Sequence, residues 1–156
     1  MVSQIYLLLH DIRSTHNVGA IFRTADASGV KKIYLSGYTP APVDRFGRDR
    51  QDISKASLGA EKTVLWEAVE NVQDLIKGLK KQKFQIVGVE QDSRSIDYKS
   101  ISKTKNMLII MGNEVEGISK EILKACDTIA EIPMLGQKES LNVSVATGII
   151  LYSLLK

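Results

Sequence analysis

Residues 5–36 read IYLLLHDIRSTHNVGAIFRTADASGVKKIYLS, and a change of period inside this stretch decides the fold class. Ile5 to Leu9 is a short apolar run and reads as a strand. Val18, Ile21, Phe22 and Ala25 then recur at i, i+3, i+4 and i+7, the spacing of one helical face. Asn17 before them is a candidate N-cap and Gly29 closes the turn, so the pattern predicts a helix over 18–28. Lys32 to Ser36 returns to strand composition.

The same alternation continues along the chain. Thr63 to Trp66, Phe84 to Val89, Met107 to Met111 and Thr128 to Ile132 read as further strands, and the alternation implies a parallel α/β sheet. After Trp66, the residues Ala68, Val69, Val72, Leu75, Ile76 and Leu79 share one helical face, and Lys77, Lys80 and Lys81 load its C-terminal end. A last helix from about Asn142 to Leu155 is apolar on nearly every side and is expected to be buried, partly against another subunit. Residues 37–51 (GYTPAPVDRFGRDRQ) have the composition of an exposed loop. Residues 133–141 (PMLGQKESL) form a loop between a strand and the last helix, where open α/β sheets bind ligands.

The 156 residues fit one domain, 1–156, and their 44% apolar and 25% charged content is that of an ordinary globular protein. The single cysteine, Cys126, has no internal disulfide partner and reads as a small buried residue in a reducing, cytoplasmic setting. No zinc spacing is present, so no metal is expected. Residues 1–9 are mildly apolar but run at once into Asp11 and Arg13, so neither a leader nor a membrane span is expected. The net charge of +3 is compatible with a nucleic-acid partner without requiring one.

Three motifs carry chemistry. The first, NVGAIFRTA at 17–25, spans the first helical turns; Arg23 projects roughly 150° from the centre of the apolar stripe at 100° per residue. The second, GNEVEG at 112–117, has two glycines flanking a carboxylate directly after an apolar strand, but lacks the Lys-Ser/Thr of a P-loop. The third is Ile132-Pro133-Met134, then Gly136, then Ser140-Leu141-Asn142 opening the last helix, with Ser140 and Asn142 both plausible N-caps.

In this order, NVGAIFRTADASGV at 17–30, GNEVEGIS at 112–119 and IPMLGQKESLNVSVATG at 132–148 closely resemble the SpoU (TrmH-type) branch of the SPOUT RNA methyltransferases. The resemblance implies an α/β domain whose mainly parallel sheet carries helices on both faces, with a trefoil knot at the C-terminus. It implies transfer of a methyl group from S-adenosylmethionine to a ribose 2'-hydroxyl of structured RNA, leaving S-adenosylhomocysteine, with tRNA slightly favoured over rRNA. The donor site would comprise Val89, Gly112, Ile132, Met134, Ser140 and Leu141. Arg23 matches the family's arginine essential for transfer and would hold a phosphate beside the target ribose, while Asn17, Glu114, Ser140 and Asn142 orient the hydroxyl. Arg45, Arg48, Arg50 and Lys55 would contact the RNA backbone. Family members dimerise through the knot and C-terminal helix, often with one subunit's arginine completing the other's site. A non-catalytic α/β nucleotide- or RNA-binding module is the rival reading. A Rossmann dehydrogenase is disfavoured because no G-x-G-x-x-G follows the first strand.

Overall fold

Strand β1 (Gln4–His10) divides its side chains between two cores, Leu7 and Leu9 entering one and Leu8 the other, as a period of two requires. The structure is a computed structural model that describes residues 4–155; residues 1–3 of the apolar N-terminal stretch and residue 156 of the expected domain lie outside the described residues. The remaining strands are β2 (Lys32–Ser36), β3 (Leu65–Val69), β4 (Gln85–Val89), β5 (Ile96–Asp97), β6 (Asn106–Met111) and β7 (Thr128–Glu131). They form one seven-stranded sheet in the order β3-β2-β1-β6-β4-β7-β5, and every pairing is parallel.

Helices α1 (Thr15–Ser28), α2 (Gln51–Ser57) and α5 (Val143–Leu154) cover one face, where Phe22, Ile53 and Leu151 meet Leu7, Leu9 and Ile109. Helices α3 (Val72–Lys81) and α4 (Lys120–Ala125) cover the other, where Ile76, Leu79, Ile122 and Leu123 meet Leu8, Leu108 and Ile110. With both faces covered, the inner strands are apolar throughout and lose the polar alternation of a one-sided sheet. Neighbouring strands β1 and β6 hand the chain to opposite faces, β1 to α1 and β6 to α4. Their carboxyl ends therefore flank the crevice where such sheets take ligands.

Several sequence expectations shift. Helix α1 begins at Thr15, and Ser14 rather than Asn17 is its N-cap, the Ser14 hydroxyl accepting from the Asn17 amide at 3.1 Å. Asn17 thus lies inside the first turn with its side chain released for other work. At the far end Gly29 takes the left-handed conformation, φ 78°, as expected of a closing glycine. Removing the cap by Ser14→Ala is expected to cost about 1 kcal/mol, a fall in Tm of roughly 2–4 °C, measurable by thermal denaturation.

Ala68 and Val69 do not belong to a helix. They continue β3 and pair with Leu35 and Ser36, so that the outer edge of β2 has partners, and α3 starts only after Asn71 caps it. The stretch 37–51 is an exposed loop as expected, pinned by an antiparallel bridge between Val43 and Asp49, and only its last residue, Gln51, belongs to a helix, α2. Helix α5 is capped by Asn142, not Ser140, and within one chain it leaves Val145 and Tyr152 half exposed, the part of the helix expected to meet another subunit. Cys126 lies against Gly88, and burial pushes its thiol up to about 11, which keeps it protonated and inert.

Candidate active site

The loops leaving β4, β6 and β7 at their carboxyl ends close around a cleft of about 320 Å³. Val89, Gly112, Ile132, Met134, Ser140 and Leu141 all line it, so residues scattered over more than fifty positions of sequence converge. Met111, Val143 and Ala146 extend its apolar wall. Glu90, Glu114, Glu131 and Glu139 stand around the same cleft, giving it an acidic rim suited to a cation.

Close backbone approach explains the glycines. A Cβ on Gly112 would come within 2.5 Å of Ile118 Cγ1 and 3.0 Å of the Gly117 carbonyl carbon. At Gly117 the backbone is left-handed, φ 70°, and a side chain there would run into the Glu90 carboxylate. That carboxylate is already occupied, Oε2 accepting from the Ile118 amide at 2.8 Å and Oε1 from the Gln91 amide at 3.0 Å. Gln91 Nε2 donates to the Glu139 carbonyl at 2.8 Å and ties the β4 loop to the 133–141 loop. Gly112→Ala should therefore displace the loop at a cost of about 1–3 kcal/mol, and weaken small-ligand binding to the cleft by at least about tenfold in calorimetry.

A directed chain of polar groups crosses the site. Asn17, only 6% exposed, donates from Nδ2 to Glu114 Oε1 at 2.8 Å and accepts at Oδ1 from Asn142 Nδ2 at 3.2 Å. Asn142 Oδ1 in turn accepts from the Ser144 amide at 2.9 Å and the Ser144 hydroxyl at 2.5 Å. A carboxylate only accepts, so Glu114 fixes which way the Asn17 amide faces, and that fixes Asn142. Motifs more than a hundred residues apart are thereby joined. Ser140 lines the cleft but stands outside this chain among the described contacts.

Arg23 is placed differently. It is exposed on α1, lines neither cleft and makes no ion pair among the described residues. Six residues beyond Asn17, it starts about 9 Å further along the axis and is turned about 120° away. It therefore shares its outer stripe with His16, which is also exposed, and not with the Glu114 cluster.

A second cleft, of about 420 Å³, shares Asn113, Glu114 and Val115 with the first and is closed by Asp11, Ile12, Arg13, Ser14, Tyr38 and Glu116. It sits at the carboxyl ends of β1 and β6, the crevice named above. Asn113 Nδ2 bridges the Tyr38 hydroxyl at 2.7 Å and the Asp11 carbonyl at 3.0 Å, and the Arg13 guanidinium lies 5.3 Å from the Tyr38 ring centre. Asp11 itself is left-handed, φ 56°, a strained position for a side-chain-bearing residue.

The basic group divides. Arg45 and Arg48 are exposed on the loop, whereas Arg50 precedes α2 with its Nε 3.7 Å from Asp52 and Lys55 is exposed on α2 itself. Sequence reasoning missed Glu90 and Gln91, although both follow a strand at its carboxyl end and the position rule for open sheets would have found them. Arg13, Tyr38 and Asn113 had no such signal, because their meeting depends on β1, β2 and β6 being neighbours. Among the described residues no cluster of three or more His, Cys, Asp or Glu is placed to hold a metal, and no helix is long and apolar enough to cross a membrane.

Comparison with known proteins follows the same lines. The chain is 37% identical over 142 residues to a tRNA (guanosine(18)-2'-O)-methyltransferase of Aquifex aeolicus, covering 91% of this chain and 64% of that protein. Among solved structures, the A. aeolicus TrmH/SpoU tRNA modifying enzyme superimposes with a TM-score of 0.85 at 33% identity, covering 97% of this chain and 74% of that one. An AdoMet-bound rRNA methyltransferase from Sinorhizobium meliloti gives 0.87 at 31% identity, covering 99% and 56%. The chain spans between 57% and 64% of the length of the curated relatives it matches first. Residues 4–152 match the SpoU rRNA Methylase family along almost their whole extent, and the chain belongs to that family.

Proposed function

We propose that the protein transfers a methyl group from S-adenosylmethionine to a ribose 2'-hydroxyl of a tRNA or rRNA, as a homodimer in the cytoplasm. The observation that carries this reading is the convergence of Val89, Gly112, Ile132, Met134, Ser140 and Leu141 on one cleft, with Glu114, Asn17 and Asn142 linked at its edge. The cleft fits the donor chemically: its apolar wall suits an adenine face, backbone groups beside Gly112 suit its edge, and the acidic rim suits a sulfonium. When bound, the donor supplies an electrophilic methyl on a positively charged sulfur.

The remaining work falls to the chain's own residues. The second cleft receives the target nucleotide, and Glu114, standing on the wall shared by both, accepts a hydrogen bond from the 2'-hydroxyl at its free oxygen. With the donor held in the first cleft, the ribose oxygen would take the methyl as the sulfur leaves as a neutral thioether, and the hydroxyl proton would pass to water or phosphate. Arg23 holds the phosphate next to that ribose. A guanidinium keeps its proton and offers a fork that grips phosphate, so positioning is its role and base catalysis is not. Because Arg23 faces away from its own Glu114, it serves the cleft of the partner subunit. Helix α5, whose exposed Val145 and Tyr152 leave an apolar stripe, supplies part of the interface, and the 133–141 loop forms the family's knot.

Calorimetry with S-adenosylmethionine against NAD tests the donor. Labelled donor with total tRNA and rRNA, followed by mapping of the modified sugar, tests transfer. Donor binding without transfer to any RNA would leave the non-catalytic module as the reading, and NAD binding in its place would overturn the methyltransferase.

A further inference from the structure

The stretch 43–49 is built around an aromatic ring that packs on nothing in the core. Phe46 is 66% exposed at the tip of the loop, with the Arg45 guanidinium 4.8 Å and the Arg48 guanidinium 5.0 Å from its ring centre. Single exposed apolar side chains are common and by themselves signify little. What sets this one apart is the rigidity of its mount. Val43 and Asp49 pair antiparallel at the base, the Asp44 amide donates to the Arg48 carbonyl at 2.8 Å, and Gly47 turns the tip at φ 77°. One carboxylate organises the turn: Asp44 Oδ1 accepts from the Phe46 amide at 2.8 Å and the Arg48 amide at 3.0 Å, while Oδ2 takes Arg48 Nε at 3.0 Å. Lys62 Nζ anchors the base through Asp49 at 3.0 Å.

The two arginines are not equivalent. Arg48 is held by Asp44, whereas Arg45 has no ion pair among the described residues and its guanidinium edges are free. A flat apolar face with an unpaired cation beside it is complementary to a nucleobase and its adjoining phosphate, and base–aromatic stacking tolerates any base because every base has a π face. The loop also springs from the end of the sheet that carries both clefts. It leaves the carboxyl end of β2, and its root, Tyr38, is bonded to Asn113 of the catalytic loop.

We propose that Phe46 is a stacking platform for an unpaired base of the bound RNA, with Arg45 swinging from the ring to the neighbouring phosphate. This rests on the RNA reading above but goes beyond it, because it assigns a base contact where the basic residues alone would give only backbone contacts.

The test measures RNA affinity across a salt series for the full chain and for Phe46→Leu, Phe46→Trp and Arg45→Gln. The probes are a deacylated tRNA, a single-stranded 12-mer and a 12-base-pair duplex. Phe46→Leu is expected to weaken tRNA and single-strand binding by about 5- to 150-fold, with the salt slope unchanged and the duplex unaffected. Phe46→Trp should restore wild-type affinity. Arg45→Gln should reduce the slope by about 0.7–0.9, one phosphate contact. Equal loss on duplex and single strand, or no loss with RNA still bound and methylated by Phe46→Leu, overturns the platform and leaves the methyltransferase standing. A change of oligomeric state in Phe46→Leu with RNA affinity intact assigns the ring to a second copy of the chain and also overturns it. Wild-type protein that binds none of the probes and transfers no methyl group sinks both readings together.

Discussion

Arg23→Lys is expected to lower kcat for methyl transfer by about 100-fold or more, while donor affinity and unfolding midpoint stay at wild-type values. Lysine keeps the charge but replaces a planar fork by a point donor, so the phosphate is still attracted and no longer aimed. Displacing the attacking oxygen by about 1 Å is enough for a loss of that size. The residue is exposed and outside both clefts, so its replacement should change stability by no more than about 0.5 kcal/mol. Near-normal turnover by the lysine variant would argue against a forked phosphate contact. The geometry also predicts which subunit the arginine serves. Arg23→Ala and Glu114→Ala are each expected to be inactive alone, but unfolding and refolding them together should recover about a quarter of wild-type activity, because a mixed dimer regains one intact site. No recovery in a verified mixed dimer would mean that Arg23 works within its own subunit.

Asn17→Ala is expected to reduce kcat by roughly 100-fold and, unlike the arginine change, to destabilise the fold. Its side chain is buried and stands between Glu114 and Asn142, so truncation leaves the Asn142 amide without its acceptor and frees the Glu114 loop. The stability cost should be about 0.5–1.5 kcal/mol, the net worth of a hydrogen bond whose remaining partners, Glu114 and Asn142, stay open to water. Thermal unfolding and single-turnover transfer, measured on the same preparation, separate the two effects. If Asn17→Ala unfolds at the wild-type midpoint, the chain of hydrogen bonds contributes nothing to holding α5 against the β6 loop.

The strands were legible because both sheet faces are covered. Runs such as Leu7 to Leu9 and Leu108 to Met111 carry no polar interruption to confuse them, and α1 announced itself through Val18, Ile21, Phe22 and Ala25. The errors came where local pattern and tertiary demand disagree. Ala68 and Val69 fit the helical face of α3, yet the open edge of β2 claims them. Asn17 looked like a cap because it is an asparagine before an apolar run, and Ser14 outcompeted it from three residues away. Helices α2 and α4 span seven and six residues, too short to display a period. As for the site, Gly112, Ile132, Met134, Ser140 and Leu141 of the first cleft fall in the motifs while Glu90 and Gln91 beside them do not, and the Arg13–Tyr38–Asn113 corner and the Phe46 finger arise from contacts that no linear pattern encodes.

The strand order has a consequence for how the chain is made. Ile5 to Leu9 is synthesised before the other six strands, but it borders β6, where Ile5 pairs with Met107 and Leu9 with Met111. At about 5–20 residues per second, roughly a hundred further residues take on the order of 5–20 s to emerge. During that interval an apolar strand of the nascent protein has one flank without its neighbour, an open template for chains leaving neighbouring ribosomes. Expression at lower temperature or with a holding chaperone should therefore raise the soluble yield, and a truncation ending before β6 should precipitate.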